Sequence, residues 1–190
     1  MNQAASHTTD TRAFSGGRSE AGFTLIEIML VATVVGIVAA IAVPQISRAR
    51  AAAFEASTIS SLREVQRAQS AYAASCGGGA YAPTILRLAT APKAGAPLFI
   101  APGFTADIID RAGYRLRFTA GTKIATAPAT CNGLAKGLAV DGYFLEAAPL
   151  QAIYGTRYFG VSQRTVIYQS TARVAPIFNG NPPLPARPIQ

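Results

Sequence analysis

The densest apolar run of the chain lies near its start: GFTLIEIMLVATVVGIVAAIAVP, from Gly22 to Pro44. Between Phe23 and Val43 a single charged residue, Glu27, interrupts it. As a helix rising about 1.5 Å per residue this segment is roughly 31 Å long, enough to cross a bilayer core of about 30 Å. The pattern then changes without a break. Residues 45–75 are rich in Ala, Arg, Glu and Gln, all good helix formers. Ile46, Ala49, Ala53 and Ala56 keep helical spacing, and Ile59, Leu62, Val65, Ala68/Gln69 and Tyr72 continue it. Arg48, Arg50, Glu55, Arg63, Glu64 and Arg67 fall mostly elsewhere, so the spacing predicts an amphipathic helix whose apolar stripe must lie on something. Cys76-Gly77-Gly78-Gly79 ends it, because consecutive glycines favour a helix stop. Two positions weaken the helix: Pro44 removes a backbone donor and crowds the preceding turn, and Gly36 has low helix propensity.

Past the glycines the helical period is lost. Residues 80–112 carry prolines and glycines among short apolar pieces such as Leu98-Phe99-Ile100, which predicts a loop with a short helix near Ala106–Arg111. Asp107 and Asp110 read as a solvated turn, since a calcium ion needs about six to eight oxygen ligands. From Gly113 the period becomes two. Tyr114-Arg115-Leu116-Arg117-Phe118 alternates apolar and basic, as a half-buried strand does. Residues 121–137 read as a loop and 139–147 as a second strand; 157–161 and 165–169 form a hairpin turning at Ser162-Gln163-Arg164. Strands that follow the helix and crowd together are most simply an antiparallel sheet covering the helix stripe. The fold class is therefore α+β. Residues 175–190 are proline-rich and read as an extended tail.

Residues 1–21 are small and polar without periodicity and read as a flexible leader, which contains the only histidine, His7. The chain carries 17 Lys+Arg against 9 Asp+Glu, a net charge of +8. Such a balance favours anionic partners: nucleic acid, lipid head groups or acidic glycans. The basic residues are scattered, however, which also fits an ordinary solvated surface. Arg115 and Arg117 on one strand, with Arg157 and Arg164 on others, allow a basic sheet face that captures DNA. Cys76 and Cys131 show no metal-ligand or C-x-x-C spacing, so no metal is expected; they are one disulfide if exported, or two unpaired thiols. No cofactor motif is present, and neither G-x-S-x-G nor a Walker loop occurs. Loss of residues 1–22 would also remove the histidine, the usual triad base, so the chain does not read as an enzyme.

A carboxylate within an apolar run costs roughly 2.5–3.5 kcal/mol at mid-membrane and asks for a partner. A cut between Gly22 and Phe23 creates an amine four residues from Glu27 on the same helix face. Gly22, Phe23, Thr24, Leu25, Ile26 and Glu27, followed by the long apolar helix, resemble the signature of type IV pilins and type II secretion pseudopilins. The resemblance implies a leader (1–22) removed by a prepilin peptidase/N-methyltransferase, and methylation of the new amine on Phe23. It implies a membrane-spanning assembly helix (23–43), an amphipathic half of the same helix (44–76) and a head (77–174) preceding the tail (175–190). It further implies packing against identical or related subunits on an inner-membrane assembly platform. There Glu27 pairs with the amine of a neighbour, and the helix loosens near Gly36 and Pro44. The head is then periplasmic, an orientation that Arg12 and Arg18 before the helix and Arg48 and Arg50 after it leave undecided.

Three alternatives stand beside this. Ala40-Ile41-Ala42 fits an ordinary secretory cleavage site, although it leaves Glu27 unexplained. A pseudopilin of the major type often carries a calcium-binding loop near its C-terminus, which an acid-poor end does not suit. A DNA- or anion-binding receptor, tethered in the membrane or at a pilus tip, is the reading from another class.

Overall fold

The computed structural model describes residues 22–178 and 185–189. The expected leader, with His7, lies outside the described residues except for Gly22, as do 179–184 and 190 of the expected tail. The chain divides into two compact units at Ala42/Val43. One helix, α1, spans Leu25–Ser75. Within the first unit its apolar side chains are exposed on every face, from Leu25 through Met29 and Val34 to Ile41. A helix apolar all round is a membrane span or a buried core element. This one is long and apolar enough to span a membrane, and it is left unburied among the described residues.

The second unit is built on the remainder of α1. Glu55, Thr58, Leu62, Val65, Gln69 and Tyr72 are buried, at alternating spacings of three and four, so they share one helix face. Against that face lies a six-stranded antiparallel sheet in strict chain order: β1 (Ile108–Arg111), β2 (Tyr114–Ala120), β3 (Tyr143–Pro149), β4 (Tyr158–Ser162), β5 (Ile167–Ser170) and β6 (Arg187–Pro188). The registers place Leu116 opposite Ala147 and Ala147 opposite Phe159. They likewise align Phe118 with Leu145, Leu145 with Val161 and Val161 with Ile167. These rows join Leu62, Val65, Ala68 and Tyr72 in one core. A strand's period of two sends Arg115 and Arg117 to the opposite face, where they are exposed.

The end of α1 is fixed by several bonds. The Tyr72 carbonyl accepts from the N–H groups of Cys76 (2.9 Å) and Gly77 (2.8 Å), and Gly78 and Gly79 follow at positive φ. The Cys76–Cys131 disulfide ties this end to the loop before β3. Gln69, fully buried, donates to the Ala82 carbonyl (3.0 Å) and accepts from its N–H (2.9 Å). A buried amide with both functions paired avoids the desolvation cost of an unpaired one.

Several expectations are corrected. The short helix is α2, Ile85–Leu88, started by Thr84, whereas residues around Ala106–Arg111 form β1. Asp107 is no solvated turn residue: its carboxylate accepts from the Ile85 N–H at 2.7 Å. The first part of the predicted stripe, Ile46, Ala49, Ala53 and Ala56, is exposed, and the buried face runs through Glu55 and Thr58 instead. The second strand starts at Tyr143 rather than 139. The tail does not remain wholly free of the sheet, since Gln169 pairs with Arg187 and Tyr168 with Pro188.

Candidate assembly site

Thr24 starts α1. Its hydroxyl accepts from the Glu27 N–H at 3.2 Å, and its carbonyl accepts from Glu27 (3.1 Å) and Ile28 (3.2 Å). Thr24-Leu25-Ile26-Glu27 thus has the spacing of a capping box, with Glu27 at the third helical position. A negative side chain in the first turn also complements the helix dipole. This local role for Glu27 was readable in the T-x-x-E spacing but is eclipsed there by the more conspicuous apolar run. Phe23 lies just ahead of the Thr24 cap, and Glu27 is the third residue of α1.

Phe23 is 77% exposed and Ile26 74%, values that decide the character of this end: none of the described residues of its own unit covers it. A Cβ at Gly36 would meet open space, so that glycine is not required by packing within the chain. Pro44 lies inside α1 and cannot donate to the carbonyl one turn earlier. Nearby, the Ser47 hydroxyl bonds the Val43 carbonyl at 3.3 Å.

In the second unit the charged residues are distributed among separate structural tasks. Glu55 accepts from Arg157 Nε at 2.8 Å and also from its Nη2, and Arg157 Nη1 donates to Gln169 at 2.7 Å. Burial first, and then the Glu55 carboxylate, push the Tyr114 phenol well above its ordinary range. Asp110 pairs with Arg115 through two bonds, 2.8 and 2.9 Å, which hold its carboxyl below the usual carboxylate range. Asp141 accepts from the Thr122 N–H at 2.8 Å, and Glu146 lies 3.7 Å from Arg173. The carboxylates beyond α1 are therefore not gathered into one site, and no group of three or more metal-ligating side chains occurs among the described residues.

The anticipated basic face is likewise divided. Arg157 engages Glu55 on α1, Arg115 is held by Asp110, Arg117 stands opposite Glu146, and Arg164 belongs to the turn before β5. Glu55–Arg157 is the contact that sequence reasoning missed. A lone Glu on a mostly polar helix carries no sign that a residue a hundred positions away will bury it.

An apolar amino-terminal helix continuing into a stripe packed on an antiparallel sheet is the α+β arrangement seen in pilins. Residues 17–43 match the family described as the prokaryotic N-terminal methylation motif. The chain carries the type IV pilin/pseudopilin signature. No curated protein and no solved structure matches the chain. The motif points to a structural protein rather than an enzyme, and with the apolar helix it fits a membrane-anchored precursor that is processed by a prepilin peptidase and assembles with other pilin subunits.

Proposed function

We propose that the protein is a prepilin that becomes a structural subunit of a type IV pilus or pilus-like filament. The observation that carries the reading is the methylation motif lying over a helix whose apolar surface the described residues leave uncovered. In this reading a prepilin peptidase/N-methyltransferase removes residues 1–22 and methylates the Phe23 amine. The precursor waits in the inner membrane with its head in the periplasm. An assembly platform then brings helices 23–43 of related subunits together, replacing lipid by one another's apolar surface. Glu27 enters a poorly solvated bundle and pairs with the amine of a neighbour's Phe23, which sets the axial register. Such a pair need not add net stability, but a charge left without it is strongly disfavoured. Gly36 and Pro44 are where the helix yields during packing. The amphipathic half, 44–76, is the spine of the head (77–174), and 175–190 close the chain.

Between a pilus subunit and a secretion pseudopilin we propose the former. Asp107, Asp110, Asp141 and Glu146 each already engage a backbone N–H or an arginine, an arrangement unlike an acidic calcium loop. The test is Glu27→Ala, expressed with the processing and assembly machinery. Surface filaments recovered by shearing should disappear while the processed subunit persists in the membrane. Normal filament yield from Glu27→Ala would refute the proposed role of Glu27.

A further inference from the structure

A cleft of about 710 Å³ opens in the second unit between α1 and the loop after β3, with Arg48, Arg50, Ala51, Phe54, Ile153 and Tyr154 among its lining residues. Its walls are mainly apolar, its only charges are the two guanidiniums, and no acidic side chain lines it. The loop is held in place. Tyr154 packs edge-on against Phe54 with ring centroids 5.1 Å apart. Its ring also abuts Gly113, where a Cβ would overlap it and φ is +74°. Ile153, next to this anchor, stays 67% exposed. A fixed loop that holds an isoleucine out beside two arginines without a carboxylate partner among the described residues is complementary to a surface both apolar and anionic.

The position along α1 says which surface. The apolar run ends at Val43, and Arg48 and Arg50 follow it on the same helix. At about 1.5 Å per residue their backbone stands roughly 7–11 Å beyond it, at or just past the outer edge of a head-group layer about 5–8 Å deep. Their aliphatic stems can snorkel from there towards lipid phosphates. We infer that this cleft docks the head on the bilayer by taking the phosphate and glycerol region of anionic phospholipid between Arg48 and Arg50. Ile153 enters the head-group layer beside them. The inference rests on the membrane-anchored reading and adds to it a resting position for the head before assembly.

The test uses the full chain in vesicles of phosphatidylcholine, with or without phosphatidylglycerol. Both cysteines are in the disulfide, so Ala152→Cys takes a nitroxide at one place, and Val38→Cys provides a second label within the apolar run. Depth is read from accessibility to oxygen against a water-soluble nickel chelate. With phosphatidylglycerol the label at position 152 should lie at head-group depth, and it should move to water in phosphatidylcholine alone. In R48Q/R50Q the docked-to-undocked ratio should fall about fivefold for each arginine removed. R63Q/R67Q, with the same charge loss, should leave the label in place.

A label at 152 that stays in water while the label at 38 lies in hydrocarbon overturns the docking inference and leaves membrane anchoring intact. A label at 38 in water overturns both. An equal effect of R63Q/R67Q reduces the attraction to net charge and overturns the cleft's role. Dipolar broadening between labels at 152 that grows with protein density, and ignores phosphatidylglycerol, assigns the cleft to a second copy of the chain and also overturns it.

Discussion

The two halves of α1 share a backbone conformation and differ in what their side chains meet. From Leu25 to Ile41 apolar side chains are exposed all round the helix, with Glu27 its single charge; from Glu55 to Tyr72 one face is buried against the sheet and the others are mostly polar. A helix with a single stripe can bury it within its own chain. A helix apolar all round needs lipid or other helices, because no one domain can cover every side. Membership of one continuous helix therefore says little about function here. The distribution of apolar surface around the helix says more.

The difference can be broken most forcefully in the head. Tyr72→Ala or Leu62→Ala should cost about 3–5 kcal/mol, because both side chains are fully buried in the core. Ile37→Ala should leave head stability unchanged. The readout is the denaturant midpoint of the full chain in detergent by near-UV circular dichroism, since all 7 tyrosines lie beyond Val43. Equal losses from Tyr72→Ala and Ile37→Ala would erase the distinction between the halves. Next in size, reducing the Cys76–Cys131 disulfide, which closes a long loop, should lower the same midpoint by about 2–4 kcal/mol. Helix content of the apolar half should not respond.

The ion pairs sharpen the comparison on a smaller scale. Arg157→Ala leaves the Glu55 side chain, only 9% exposed, without its guanidinium. The expected loss is about 2 kcal/mol, below the range for a wholly buried pair because Arg157 is itself half exposed. Arg115→Ala, which breaks a solvent-exposed pair, should not move the midpoint measurably.

A small effect is expected from mild alkali. Burial raises the phenols of Tyr72, Tyr114 and Tyr143 above their ordinary range. The unfolded chain therefore loses these protons first, and stability should be full below about pH 10 and decline as pH rises beyond it. Urea unfolding followed by far-UV circular dichroism checks this. A midpoint that rises across that range would contradict the burial of these phenols.

Much of this arrangement is written in local pattern. The apolar run, the glycine stop after Ser75, the alternation of β2 and the β4–β5 hairpin follow from periods and turn residues that act over a few positions. What sequence reading missed depends on partners far along the chain. Glu55 and Thr58 replace Ala53 and Ala56 on the buried face because Arg157 meets Glu55 there; alanine spacing alone does not anticipate that choice. Ile108–Arg111 becomes a strand because β2 offers a free edge and Asp110 can reach Arg115, although the segment alone has the composition of a loop. At the candidate site the residues were readable, but the cap that Thr24 places on the helix was overlooked.

The central claim is that the apolar half is made by a single cleavage and modification and then assembled through Glu27. Intact mass and amino-terminal sequencing of the mature protein, from cells with an active prepilin peptidase, test it most directly. The account predicts a chain that begins at Phe23 and carries one methyl group on its amine. A mature chain that begins at Val43 lacks the assembly helix altogether and would contradict the account, as would a chain that retains Met1.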